Sequence, residues 1–219
     1  MSITRGAIEA WLRGSAAAVA THRDELTRLD AAIGDADHGA NMDRGFKAVV
    51  AKLSEGGEDI GALFRTVAMA LISTVGGASG PLYGTLFLEM ARASEGKTEL
   101  SPEEWKAALE AGVFGVARRG KARRGEKTML DALIPAVEEL SLALSSGAPF
   151  AEALWRSERA AARGVRDTIP LVATKGRASY LGERSAGHQD PGATSSHLLV
   201  RAAALAFAPG QGGSETSDG

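Results

Sequence analysis

Apolar residues recur at helical spacing along almost the whole chain, and nowhere in the strict alternation of a half-buried strand. Ile8, Trp11, Leu12, Val19, Leu26 and Leu29 keep one helical face, and Ile60, Leu63, Phe64, Val67, Leu71, Ile72 and Val75 keep another. Shorter runs pass through Phe46, Val49, Val50 and Leu53, and through Leu82, Leu86 and Met90. A further start signal stands at Ser101-Pro102-Glu103-Glu104, where a serine cap, a proline at the first helical position and a glutamate three residues on open a run through Trp105, Leu109, Val113 and Val116. The pattern continues from Met129 to Leu144, near 150–168 and near 194–207. It predicts an all-α fold of about eight amphipathic helices, arranged up and down. Residues 1–208 are expected to form one domain, and the tail PGQGGSETSDG, residues 209–219, lacks apolar periodicity and is expected to be disordered.

Composition narrows the chemistry. With 44% hydrophobic residues in 219, the chain can bury one full core. It has no cysteine, so disulfides, thiolate catalysis and cysteine-bound zinc are excluded together, and a hard metal held by oxygen becomes the default. A net charge of -2 and 5% aromatics argue against a nucleic-acid partner. No apolar run is long enough for a bilayer, and MSITRGAIEAWLRG lacks the features of a secretory signal, so no membrane association and a cytoplasmic location are expected.

The loops fall into two kinds. SEGGED, SEGKTELS and SSGAP are ordinary polar turns, whereas GDADHGAN, GGASGPLYG, ARRGKARRGEKT and KGRASYLGERSAGHQDPGATSS carry everything unusual. The two kinds alternate. In an up-and-down bundle alternate loops emerge at the same end, so the four unusual ones are expected to converge on one composite site.

Asp30, Asp35 and Asp37 lie among glycines and alanines with no lysine or arginine until Arg44, which suits Mg²⁺ that keeps some waters and takes phosphate oxygens. A calcium EF-hand fails on register, because its glycine position falls on Ala40 and its closing glutamate on Phe46. An acidic capping loop without a ligand is the plainer alternative. The side-chain-poor stretch from Gly76 to Pro81 ends at a helix start, where backbone N–H groups and the helix dipole can cradle phosphate, although such stretches are more often only tight turns. Arg118, Arg119, Lys121, Arg123, Arg124 and Lys127 form a basic run, read chiefly as a solvated face, with polyphosphate or an acidic partner as the alternative. His38 and His188 are open between ligand, base and plain hydrogen-bonding roles.

GDADHGANM, GGASGPLYGT, GEKTMLDAL and above all GRASYLGERSAGHQDPGATSS resemble, in order and spacing, the nucleotide-binding subunits of bacterial dihydroxyacetone kinases and the matching domain of single-chain kinases, over about residues 5–207. The resemblance implies a barrel of eight antiparallel helices with the nucleotide, ADP or ATP, across one end. It implies two Mg²⁺ held by Asp30, Asp35 and Asp37. His38, Gly39, Ala40 and Asn41 would lie against the phosphates, Ala78 and Ser79 in the glycine-rich cradle, and Gly120, Met129, Arg177, Asp190, Pro191 and Gly192 in the rest of the pocket. Family members commonly read GDKTMLDAL where this chain has Glu126, which is left out of the site for that reason. The implied partners are a separate dihydroxyacetone-binding subunit, which holds the substrate on its own histidine, and a phosphohistidine protein of the phosphotransferase system that recharges bound ADP. No catalytic nucleophile is assigned to this chain. A homodimer, a different short keto-sugar substrate, free ATP as donor and a purely regulatory nucleotide-loaded role are open alternatives.

Overall fold

The computed structural model describes residues 2–54 and 58–209. The tail expected to be disordered therefore lies, except for Pro209, outside the described residues. Among the described residues nine α-helices run in chain order: α1 (Arg5–Thr21), α2 (Arg23–Ile33), α3 (His38–Lys52), α4 (Ile60–Thr74), α5 (Ser79–Ala93), α6 (Pro102–Gly120), α7 (Leu130–Ser145), α8 (Phe150–Asp167) and α9 (Pro191–Phe207). A 3₁₀ segment spans Arg177–Ser185. The fold is all-α, as the periodicity requires. What reads in the sequence as one long first helix is two, broken at His22, whose φ of -97° and ψ of 12° leave the helical region. Its apolar face continues across the break, so periodicity alone does not reveal it.

α1, α3, α4, α5, α6, α7, α8 and α9 each pack on the next, and α9 returns to α1, so eight helices close a ring. The short α2 packs on α3 and α9 at one end of it. The interior is filled with aromatic rings: Trp11 stands edge-on to Trp105 at 5.0 Å, and Trp105 edge-on to Phe207 at 4.9 Å. Phe64 and Phe87 complete the cluster, and the one polar atom of Trp11, Nε1, donates to the Leu199 carbonyl at 2.9 Å. Edge-to-face pairs of this kind add roughly 1 kcal/mol each beyond the area they bury.

Local chemistry sets individual packings. Pro135 lies inside α7 and has no N–H for the carbonyl of Asp131 one turn back. That carbonyl faces Gly164 of α8, where a Cβ would come within 2.0 Å of it, so only glycine allows the close α7 and α8 approach. Two-residue strands β1 (Ile3–Thr4) and β2 (Glu99–Leu100) pair antiparallel, Ile3 opposite Leu100. They are too short for any alternation to betray them, and β2 falls in a stretch that reads as a plain turn. No helix among the described residues is long and apolar enough to cross a membrane.

Candidate metal and nucleotide site

The four unusual loops meet at one end of the barrel around a cavity of about 410 Å³. At its mouth one carboxylate oxygen each of Asp30, Asp35 and Asp37 lie within 4.8 Å of one another. Asp30, on the last turn of α2, is buried, and its Oδ2 accepts the N–H groups of Asp37 (2.8 Å) and His38 (3.1 Å), folding the loop back over it. Ala36, between the other two, adopts φ 62°, a left-handed turn that costs a non-glycine residue roughly 1 kcal/mol. Gly34 lies so close that a Cβ would come within 2.1 Å of Asp30 Oδ1. Asp37 stands at the cap position of α3, yet its φ of -118° and ψ of -11° keep its side chain from capping, which leaves the carboxylate to the cluster. Two unit charges 4.8 Å apart repel by roughly 3.5 kcal/mol at an effective dielectric of about 20, less where water reaches them. A hard cation with oxygen ligands fits this donor set and relieves the repulsion.

Beneath the mouth the N-termini of α3, α5 and α9 are tied by buried polar side chains. The His38 ring lies between Ser79 Oγ (Nδ1, 3.2 Å) and Ser195 Oγ (Nε2, 2.9 Å), and Tyr83 Oη reaches Ser195 Oγ at 2.7 Å and Ser196 Oγ at 2.9 Å. Burial pushes His38 below its usual range, against the raising influence of Asp30 and Asp37. Burial also pushes the Tyr83 hydroxyl up to about 12.

The far wall is the turn between α6 and α7. Asp131 accepts the N–H groups of Gly125 (2.5 Å) and Thr128 (2.7 Å) and so shapes the turn from within the next helix. Lys127, with φ 61°, points inward and donates to the carbonyls of Thr168 and His188. Asp190 caps α9 by accepting the Ala193 N–H at 2.7 Å. Burial and the nearby Asp131 charge push Asp190 up to about 7, with the Ala193 and Gly192 N–H groups and the Lys127 ammonium opposing. Over the mouth Arg177 Nη2 reaches Asp35 Oδ2 at 3.1 Å while remaining 65% exposed.

Residues 32–205 match the DAK2 domain family. The chain belongs to that family. It is 45% identical over 207 residues to the PEP-dependent dihydroxyacetone kinase ADP-binding subunit DhaL of Escherichia coli (strain K12), covering 94% of this chain and 99% of that one. It is 40% identical over 190 residues to the PTS-dependent dihydroxyacetone kinase ADP-binding subunit DhaL of Lactococcus lactis, covering 86% and 91%. Among solved structures it resembles the dihydroxyacetone kinase from C. freundii in complex with AMP-PNP and Mg²⁺, with a TM-score of 0.67 at 25% identity. That likeness covers 90% of this chain but 33% of the C. freundii chain, so this DAK2 chain spans about a third of it.

Of the residues expected at the site, Asp30, Asp35, Asp37, His38, Ala78, Ser79, Gly120, Met129, Arg177, Asp190, Pro191 and Gly192 all line the cavity of this DAK2 fold. Gly39, Ala40 and Asn41 do not. They form the first turn of α3, where Gly39 packs so tightly on α2 that a Cβ would come within 2.0 Å of the Arg23 carbonyl, and Asn41 Oδ1 accepts from Arg44 at 2.5 Å. The Asn41 amide also lies against Gly76 of the cavity lining, where a Cβ would come within 3.0 Å of its Oδ1. Glu126 does not line the cavity; it accepts the Arg123 N–H at 2.8 Å and lies 4.0 Å from Lys175, which does. His188 is exposed, and of the basic run Lys127 is not solvated at all. Arg118, Arg123 and Arg124 are exposed but pair with Glu89, Glu126 and Glu138. Tyr83 and Asp131 escape the sequence reading, although each sits inside one of the quoted motifs, and Lys127 is read there only as one of the basic run.

Proposed function

We propose that this DAK2 chain, over residues 1–208 as one unit, is the nucleotide-carrying phosphoryl-transfer subunit of a dihydroxyacetone kinase. The observation that carries the reading is the trio Asp30, Asp35 and Asp37 at the mouth of a nucleotide-sized cavity onto which the N-termini of α3 and α5 open without side-chain caps. Names of relatives agree: they are kinase subunits described as ADP-binding.

In this reading Asp30, Asp35 and Asp37 hold two Mg²⁺, which when bound neutralise phosphate charge during transfer. The first turn of α3, from His38 to Asn41, and Ala78 and Ser79 at the start of α5 turn positive dipole ends toward the phosphates. Gly120, Met129 and the turn Asp190, Pro191 and Gly192 hold the rest of the nucleotide, and Arg177 closes over it. Phosphoryl transfer asks chiefly for positioning and charge neutralisation, so no nucleophile is needed from this chain. The dihydroxyacetone is held on a separate subunit.

The donor in this proposal is a phosphohistidine protein of the phosphotransferase system, which recharges ADP without its release. It docks over the exposed basic residues from Arg118 to Arg124, and the association weakens with salt. The complex works in the cytoplasm. Native mass spectrometry of the purified chain reads bound nucleotide, magnesium number and any homodimer together. Radiolabelled ADP then tests the coenzyme role: label that washes out quickly in a cold chase, with free ATP alone sustaining turnover, would make this an ordinary ATP-dependent subunit.

A further inference from the structure

Lys127 is among the largest fully buried side chains of the described residues, at 1% exposure, although it carries an ammonium. Its left-handed backbone, at φ 61°, is a conformation that persists in a non-glycine residue only where the surroundings impose it. The inward side chain donates to the Thr168 carbonyl at 2.6 Å and to the His188 carbonyl. Thr168 ends α8, so the ammonium meets the negative end of that helix. Thr168 Oγ1 in turn accepts the Asp190 N–H at 3.0 Å, and the Gly187 N–H donates to the Ile169 carbonyl at 2.7 Å. These bonds draw together both ends of the long connection from α8 to α9, which carries Lys175 and Arg177 on the cavity rim. Thr128 and Met129, next to Lys127 in the chain, line the opposite wall.

We propose that Lys127 is a positioning residue: its ammonium, bonded to the carbonyls of Thr168 and His188, ties the base of the 168–190 connection to the Met129 wall and thereby holds Lys175 and Arg177 over the cavity. The last step rests on the nucleotide reading; the tie itself does not. A lysine that merely fills the core would lower overall stability without singling out this connection.

The test uses the full chain with Lys127→Met, which keeps the apolar stem and removes the ammonium. Hydrogen exchange is followed by mass spectrometry without ligand, and Mg-ADP affinity by calorimetry. Charged hydrogen bonds of this kind translate into a change of about tenfold or more. Amides of 169–189 are expected to exchange faster by that factor, with α4, α5 and α6 unchanged, and Mg-ADP affinity to fall by a similar factor. Should Lys127→Met fail to fold, Lys127→Gln, whose uncharged amide can still donate to a carbonyl, is expected to give the same pattern at smaller amplitude. Faster exchange spread evenly over the chain, or unchanged exchange at 169–189 in a folded variant, overturns the tie. Localised exchange with wild-type affinity overturns its role at the site. Should the wild-type chain itself bind no Mg-ADP, the nucleotide reading fails, and the exchange pattern alone still decides the tie.

Discussion

At one end of the barrel side chains close the helices, and at the other they mostly do not. Thr4 caps α1, Asp59 caps α4 and Ser101 caps α6, each with an extended backbone (ψ 163°, 118° and 166°) that lets its side chain reach the first N–H groups. α3, α5 and α7 begin at the other end at Asp37, Ala78 and Met129, whose ψ values of -11°, -24° and -25° already lie in the helical range, and none has a side-chain cap. A cap contributes about 1 kcal/mol, so the second end forgoes stability that the first end takes. The lesson is that these starts turn their positive dipole ends to the cavity, while the first N–H groups of α3 and α7 are taken by side chains outside the cap position, Asp30 for His38 and Thr128 for Leu130. Each end has one exception: α8 begins at Pro149, whose side chain has no acceptor, and α9 is capped by Asp190.

The largest expected effect comes from the uncapped end. Asp35→Ala or Asp37→Ala should lower phosphoryl transfer with the partner subunit by on the order of 10³-fold or more, because charge neutralisation is most of what this chemistry needs. The helical circular-dichroism signal should be unaltered, since neither side chain belongs to the core. Loss of that signal would defeat the claim. Next comes Ala78→Asp. The helical ψ at this position denies the new carboxylate a capping geometry, so melting temperature should hardly move, while charge repulsion on the phosphates should weaken Mg-ADP by more than about tenfold. A clear gain in melting temperature would mean that this end lacks only a suitable side chain, and the comparison of the two ends would lose its basis.

This difference between the ends is half legible in the sequence. Ser101 and Glu104 announce their capping box by spacing alone, and the bonds form in both directions. The alternation of plain and unusual loops likewise predicts which four meet. What spacing cannot report is backbone conformation: GDADHGAN reads as a loop before a helix near Phe46, yet α3 already begins at His38, because Asp30 reaches back to satisfy the first N–H groups from outside the segment. Lys127 was hidden for a related reason. Charge density in ARRGKARRGEKT suggests a solvated face, and only the left-handed turn at Lys127 sends that one side chain inward to two carbonyls distant in sequence.

Arg177 and Arg123 sharpen the comparison on the rim. Both are exposed, but Arg177 pairs with Asp35 across the mouth and Arg123 lies 3.9 Å from Glu126, a near neighbour in its own turn. Arg177→Ala should therefore weaken Mg-ADP several-fold in calorimetric titration and Arg123→Ala hardly at all, since an exposed local pair contributes little. Comparable losses would show that the rim acts as a diffuse basic field. Asp190, the one capped start at the site end, carries a pH signature. Its carboxyl is pushed up to about 7 by burial, so the unfolded chain ionises first. The resulting stability is present below about pH 4 and is lost as pH rises to about 7. Asp190→Asn can still accept the Ala193 N–H and cannot ionise, so its melting temperature should match the wild type at the acid side and exceed it by a few degrees at pH 8. Parallel curves across that window would show that the ionisation costs the fold nothing.

The smallest effect is expected at the capped end. Ser101→Ala removes the hydroxyl that accepts the Glu104 N–H at 3.2 Å, leaving the reciprocal bond from the Ser101 N–H to Glu104 at 2.8 Å in place. The loss should be about 1 kcal/mol, or a melting temperature lower by roughly 2–4 °C for a chain of this size. Helix α6 also ends at Gly120 on the cavity wall, so it is the element through which damage at one end could reach the other. Its length of roughly 28 Å, at about 1.5 Å per residue, and its packing on both α5 and α7 should confine the fraying to the first turn. Mg-ADP affinity is therefore expected to be that of the wild type. A matching fall in affinity would show that α6 transmits the disturbance along its whole length, and that the stabilising end and the binding end are one coupled unit.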